Sequence, residues 1–413
     1  MLSLFQANPF AASGRTWFSS KGLRTRGRFL DSRRLRLPAA KNDENRQPVR
    51  GPHLTLEPLW RYLGWRTKSE DTLLPVHSSL LQIEDSEAAS PLVGIARLAA
   101  QGESIRQAHL VEYFTLPSRA LLNRCTSTRV PFEWTINPYR GCEFACKYCY
   151  ARYTHEFMEM REGVDFERKI YVKQQAAWLL RQDLKKVKHG EQIAIGTATD
   201  PYQPAEKRFE VTRGILEELA QHHGLDLGIV TKSDLVVRDI DVLQRVAEHN
   251  RLYVNLTITT LDARLARILE PRAPRPDLRL GAVRKLNEAA ITAGVICAPV
   301  LPGITDSAAA LDKLVAATKE VGGKYIYANP LFLKPCSATV FLPFLEKEFP
   351  KLVADYRMRY TGRAFVSKAY RKRLSELMSK LRRKHGITKE VTDRRSLAQH
   401  QQAEDEQLAL FAL

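Results

Sequence analysis

Cysteine is scarce in this chain: six in 413 residues, far too few for a disulfide framework. Long apolar runs are missing as well. No stretch approaches the roughly 18 residues that a membrane-spanning helix needs, so no membrane partner is expected. Acidic residues are rare at both flanks. Positions 1–50 hold eleven Lys and Arg against three acids, and 351–390 hold thirteen against three, so the two flanks carry the whole formal net charge of +18. The body between them is close to neutral. Basic flanks around a neutral body are the electrostatic footprint of a polyanion, and nucleic acid is the expected partner. Either flank taken alone would read rather as a solvated surface or a disordered arm; it is the two together that point to nucleic acid.

What cysteine there is gathers in one place. Cys142, Cys146 and Cys149 are spaced C-x3-C-x2-C within Asn137–Tyr150, with Gly141 before the first and Tyr148 and Tyr150 flanking the third. Thiolates this dense need a soft metal to neutralise them, and iron–sulfur clusters take such ligands. No fourth Cys is nearby. A cubane held by three thiolates leaves one iron open to a cofactor or substrate. Zinc is the competing reading, with His155 close enough in sequence to complete four ligands, although the spacing is unlike that of zinc ribbons. A clustered trio also points to a reducing interior, hence a cytoplasmic location.

The C-x3-C-x2-C loop with Tyr148 before its last Cys resembles the signature of the radical S-adenosylmethionine enzymes. Asn137-Pro-Tyr-Arg-Gly-Cys142 and Thr199-Asp-Pro-Tyr-Gln-Pro204 narrow the likeness to the branch that includes spore photoproduct lyase, over about Pro131 to Pro335. The resemblance implies a partial (βα)6 barrel, a 4Fe–4S cluster on Cys142, Cys146 and Cys149, and S-adenosylmethionine cleaved to a radical that abstracts hydrogen. It also implies roles for particular residues. Tyr148 would lie against the adenine, and Thr197, Thr199 and Asp200 would occupy the segment that holds the methionine amine. Lys232 would meet the methionine carboxylate, and Asn255 and Thr257 the ribose. A flavodoxin- or ferredoxin-type reductant would supply the electron.

One departure weakens the closest analogy. The photoproduct lyase returns hydrogen through a thiol, yet no Cys lies between Cys149 and Cys297. Cys297 and Cys125 read as small apolar residues. Cys336 is the remaining candidate donor.

Taken in order, residues 1–52 read as a basic disordered arm, since Pro9, Gly14 and Gly22 interrupt the amphipathic helix a transit peptide would need. Residues 53–129 carry no functional reading beyond a short helix at Val93–Ala100. From 130 to 336 strands and helices alternate. Strands are expected at Phe132–Asn137, Gln192–Thr197, Leu225–Thr231, Leu252–Thr259, Val295–Leu301 and Lys324–Asn329. Helices are expected at Tyr171–Lys188, from Glu206 to Gly224, and at Leu235–His249, Leu278–Ala293 and Ala308–Val321. Six such units imply an α/β parallel sheet, with polar strand ends facing a site. Two basic helices, Leu342–Tyr360 and Phe365–Lys384, form an extension over 337–385. The tail 386–413 ends in Gln407-Leu408-Ala-Leu410-Phe411, which resembles the peptide by which bacterial repair proteins dock on the sliding clamp.

The leading expectation is therefore a radical enzyme, possibly a lyase, acting on nucleic acid in DNA repair or modification. The alternatives are the same chemistry on a peptide or small molecule, and a non-catalytic iron–sulfur protein that binds nucleic acid.

Overall fold

The structure, a computed structural model, describes residues 92–387 apart from 109–110, 127–129 and 161. The basic arm, much of the 53–129 segment and the clamp-like peptide lie outside the described residues.

Two sheets are present. In chain order the strands are β1 (Ser104–Ala108), β2 (Val111–Thr115), β3 (Leu122–Arg124), β4 (Trp134–Ile136), β5 (Tyr139–Arg140), β6 (Lys169–Val172), β7 (Gln192–Ile195), β8 (Asp226–Thr231), β9 (Arg251–Thr257), β10 (Thr292–Val300) and β11 (Ile326–Pro330). The large sheet has the order β11-β10-β9-β8-β7-β4-β3. Its neighbours from β4 through β11 are all parallel, and β3 alone runs against β4. Parallel strands laid down in chain order, with helical crossovers between them, make the expected α/β partial barrel. Among the described residues no pairing joins β11 to β3, so the sheet is open.

Alternation puts Ile193, Ile195, Leu227, Ile229, Val254, Leu256, Val295 and Cys297 on one face of the large sheet, where all are fully buried, and Asn255 and Thr257 on the other. Cys297 is core, as its apolar strand implied. The helix Lys368–His385 lays Tyr370, Leu374, Met378 and Leu381 against the helix Ala308–Glu320 and β11. Its Lys368, Arg371, Lys372, Arg373, Lys380, Arg383 and Lys384 are exposed.

The smaller sheet, β1-β2-β6-β5, was not foreseen. It corrects the helix expected from Tyr171. Ile170, Tyr171 and Val172 are a β-branched and aromatic run buried on both faces, so they pair as β6, and the helix covers only Ala176–Asp183. Val172 matched the helical spacing by coincidence of period. The helix expected over Leu342–Tyr360 is also two, Pro335–Glu348 and Val353–Tyr360, separated at Phe349-Pro350. Proline fixes its own backbone and disfavours helix in the residue before it, which is the reason for the break.

Candidate functional site

The cysteine loop leaves β5 and bends at once. Gly141 has φ +83°, and a Cβ there would lie 2.7 Å from the Lys169 carbonyl and 2.9 Å from that of Phe166. Only glycine allows this turn. The loop is then tied down group by group. Cys142 N–H donates to the Phe166 carbonyl (2.8 Å), and Lys147 N–H to that of Leu269 (3.0 Å). Gln203 spans the turn, accepting from Glu143 N–H (3.0 Å) and donating to the Gly141 carbonyl (3.1 Å). Thr199 donates to the same carbonyl at 2.6 Å. Arg152 donates to the Cys146 carbonyl (3.1 Å) and Ser337 to the Cys149 carbonyl (2.9 Å).

These peptide groups are bonded, while the sulfurs have no side-chain partner among the described residues. The Phe144 and Ala151 N–H groups act on the sulfurs of Cys142 and Cys149, and Cys146 has no such donor. Burial pushes all three up, Cys146 to about 12, and Cys142 is raised further by Asp200 and the other two cysteines. A cationic metal centre would offset that penalty and deprotonate them. No three His, Cys, Asp or Glu side chains among the described residues are placed to share one metal ion. His155 turns Nε2 toward the Lys169 carbonyl (3.1 Å) and packs its ring on Phe166. A cubane takes each thiolate on a separate iron, so the donor set fits a cluster.

Beside Cys146 lies a buried polar wall. The Tyr148 hydroxyl donates to Glu270 and meets Thr259 Oγ1 at 3.1 Å. Glu270 pairs with Arg279 at 2.5 Å, and both side chains are 1 % exposed. Arg279 also donates to the carbonyls of Thr257 (3.0 Å) and Pro274 (2.8 Å). Burial opposes both charges, yet each holds the other ionised, with Glu270 below its ordinary range and Arg279 above.

Lys232, at the end of β8, has its ammonium 5.8 Å from the centre of the Tyr148 ring. Burial works against its charge, but Cys146, Glu270 and Asp200 outweigh that and raise it. Asp200 is consumed in holding this corner. It accepts from Thr231 Oγ1 (2.6 Å), Lys232 N–H (2.7 Å) and Tyr202 N–H (3.0 Å), while burial pushes its carboxyl up.

The structure therefore gathers Cys142, Cys146, Cys149, Tyr148, Thr199, Asp200 and Lys232 around one loop. Thr197 faces Asn137 Nδ2 (3.3 Å), and its carbonyl accepts from the Tyr150 hydroxyl. Thr257 is buried at the end of β9. Asn255 sits within the sheet, donating to the Ile229 carbonyl (3.0 Å) and accepting from Tyr325 (2.9 Å). Cys336 is half-buried, its sulfur 3.8 Å from Ser337 Oγ. Sequence reasoning missed Gln203, Thr259, Glu270, Arg279 and Arg152. Gln203 stood in a motif already noted, and Glu270 opened a Pro/Arg-rich crossing, but neither carries a chemical signature by itself.

Comparisons with known proteins agree with this geometry. The Radical SAM superfamily model matches residues 136–315. An uncharacterized protein of Mycobacterium tuberculosis is 34 % identical over 271 residues, covering 65 % of this chain and 79 % of the relative. One of Methanocaldococcus jannaschii is 30 % identical over 226 residues, covering 54 % and 80 %. Among solved structures, spore photoproduct lyase complexed with dinucleoside spore photoproduct aligns over 66 % of this chain and 79 % of its own, with a TM-score of 0.50 at 17 % identity. That likeness is one of fold. The barrel, the cysteine loop at its strand ends and the matching family model lead to one assignment: the chain belongs to the radical S-adenosylmethionine superfamily.

Proposed function

We propose that this radical enzyme carries a 4Fe–4S cluster on Cys142, Cys146 and Cys149, binds S-adenosylmethionine beside it, and acts on nucleic acid in DNA repair or modification. The observation that carries the reading is the loop itself: three sulfurs without a side-chain partner among the described residues, Cys142 and Cys146 buried and Cys149 half-buried, on a backbone tied down by hydrogen bonds. Held by Cys142, Cys146 and Cys149, the cluster would supply the electron for reductive cleavage of S-adenosylmethionine, and with it the radical chemistry that removes hydrogen from a substrate.

The protein's own share is binding, orientation and exclusion of water. Lys232 takes the methionine carboxylate as a point charge. Tyr148, fixed through its hydroxyl, offers a ring for the adenine. Thr199 and Asp200 act through what they brace, the Gly141 carbonyl and the Lys232 backbone. Thr197 and Thr257 line the strand ends beside them, and Asn255 shapes β9 beneath. Cys336 is the candidate thiol for hydrogen return in a lyase-type reaction. A flavodoxin- or ferredoxin-type reductant and a cytoplasmic setting accompany this chemistry.

Nucleic acid is supported by the row of exposed cations on the helix Lys368–His385 and by the basic residues of 1–50. Gln407, Leu408, Leu410 and Phe411 would dock on a bacterial sliding clamp. The test is anaerobic reconstitution with a nucleic-acid pool and mass spectrometry of the nucleosides, which should reveal one altered nucleoside and 5′-deoxyadenosine. Deleting residues 1–50 should flatten the dependence of log affinity on log salt, because fewer counterions are released. An unaltered nucleoside pool together with a salt slope near zero would remove nucleic acid as the substrate.

A further inference from the structure

Where β5 and β6 lead into and away from the cysteine loop, the small sheet holds two cations, Lys173 buried and Arg140 half-buried. In the register of β5 with β6, Arg140 stands opposite Tyr171, and Lys173 is two residues further along. Alternation therefore puts Arg140, Tyr171 and Lys173 on one face. Tyr139, Ile170 and Val172 take the other and join the main core. Lys173 is only 6 % exposed, and no carboxylate among the described residues acts on its ammonium. Arg140 is half-buried. It donates one weak bond, Nη1 to the Thr154 carbonyl at 3.4 Å, and its Nε is buried without a partner.

Two buried like charges side by side are unfavourable unless something neutralises them. Burial and then Arg140 push Lys173 down to about 7. The phenol of Tyr153, which also acts on Arg140, is raised by burial and so brings no counter-charge. The surroundings supply further features of a strand path. The Lys334 ammonium lies 3.9 Å over the Tyr153 ring, and Tyr153 packs edge-on against Phe157, which is 62 % exposed. Tyr153 follows Cys149 by four residues and is close enough to Cys149 and Cys336 to feel both. Cations beside exposed aromatic rings are how single-stranded nucleic acid is held, through phosphates and stacked bases.

We infer that Arg140 and Lys173 form a phosphate-binding recess at the rim of the cysteine loop, which seats a backbone phosphate of the substrate strand next to the reacting nucleotide. The recess itself requires only a phosphate oxyanion; that the phosphate belongs to a strand rests on the nucleic-acid reading above. Arginine offers a planar fork to the phosphate oxygens and lysine a point charge.

The test uses the reconstituted full chain, its near-isosteric Lys173→Met variant and an Arg140→Gln variant whose iron content checks that the loop is intact. Thermal unfolding is followed with inorganic phosphate against chloride at equal ionic strength. The wild type should gain a few degrees with phosphate. Lys173→Met should unfold no earlier than the wild type in chloride, because it removes an uncompensated buried charge, and should lose the phosphate response. Affinity for a short single-stranded oligonucleotide should fall about tenfold or more in either variant, the size expected for a lost charge-assisted contact. Phosphate shifts of equal size in wild type and Lys173→Met would overturn the recess. A phosphate response lost in Lys173→Met with undiminished oligonucleotide affinity would overturn the strand assignment. A wild type that responds to phosphate but binds no oligonucleotide would sustain the recess and refute the nucleic-acid reading instead.

Discussion

Two arginines, Arg279 buried and Arg140 half-buried, lie beside the cysteine loop, and they are held in opposite ways. Arg279 is 1 % exposed and bonded to Glu270, to two backbone carbonyls and, through Glu270, to Tyr148. Arg140 lies on the other flank with Lys173 for a neighbour and, among the described residues, no carboxylate acting on either. A charge neutralised inside the protein makes a fixed wall, since breaking the pair would strand its partner in a low-dielectric interior. A charge left uncompensated is a vacancy for something that arrives from outside. The paired flank suits a cofactor that is bound in every turnover, and the unpaired flank suits a substrate that comes and goes.

The most severe way to probe both flanks is to remove what lies between them. Cys146→Ala should abolish the cluster absorbance and leave iron well below the wild-type content after anaerobic reconstitution, because two thiolates cannot hold a cubane. Full iron retention in that variant would break the assignment of the loop.

Next in size is the paired flank. Glu270→Leu leaves Arg279 buried without its counter-charge and should destabilise the fold by about 3–5 kcal/mol in denaturant unfolding. The double variant Glu270→Leu with Arg279→Met should recover most of that loss. A single variant as stable as the wild type would show that the wall is not needed to keep the fold.

The unpaired flank carries a neutral histidine, and pH sharpens the contrast there. Burial depresses His155 to about 4, only partly offset by its bond to the Lys169 carbonyl. The unfolded chain protonates at the ordinary histidine value of about 6.5, so between the two values it binds the proton that the native state refuses. Stability should therefore fall as pH drops from about 6.5 to about 4, by at most about 3 kcal/mol. A His155→Phe variant should lose this part of the slope. An identical pH profile in that variant would remove His155 as the cause.

The smallest effect belongs to a pair outside both flanks. Arg357 and Glu346 meet at 2.6 Å but are 63 % and 48 % exposed. Arg357→Gln should change stability by less than about 1 kcal/mol, which sets the baseline against which Glu270→Leu is read.

Some of this was written in the residues themselves. Ile193, Leu227, Val254 and Val295 lie in short apolar runs between helical patterns, and local periodicity is enough to announce a parallel α/β core. Cys142, Cys146 and Cys149 announce a metal centre because three thiols at fixed short spacing have little other use. Tyr148 and Lys232 came with the resemblance, and the fold brings them within 5.8 Å of each other. The second sheet was hidden because β6 pairs with β2, residues that precede it by more than fifty positions, and such pairing leaves no local period. Pro350 was a stop signal in plain view that the helical pattern overran.

The sequence by itself determined what depends on neighbours along the chain: the strand–helix alternation, the thiol spacing, the glycine that the turn at 141 demands. Only the tertiary structure decided which charges meet. Glu270 and Arg279 are nine residues apart and Thr259 eleven from Glu270, but Tyr148, which completes their network, comes from 122 residues away. Likewise nothing in the order of residues tells that Arg140 and Lys173 come to one face, with Glu112 further along it opposite Lys169 and no carboxylate among the described residues acting on either cation. Whether a buried charge is neutralised depends on what packs within a few ångströms of it, and that is a property of the fold, not of the chain.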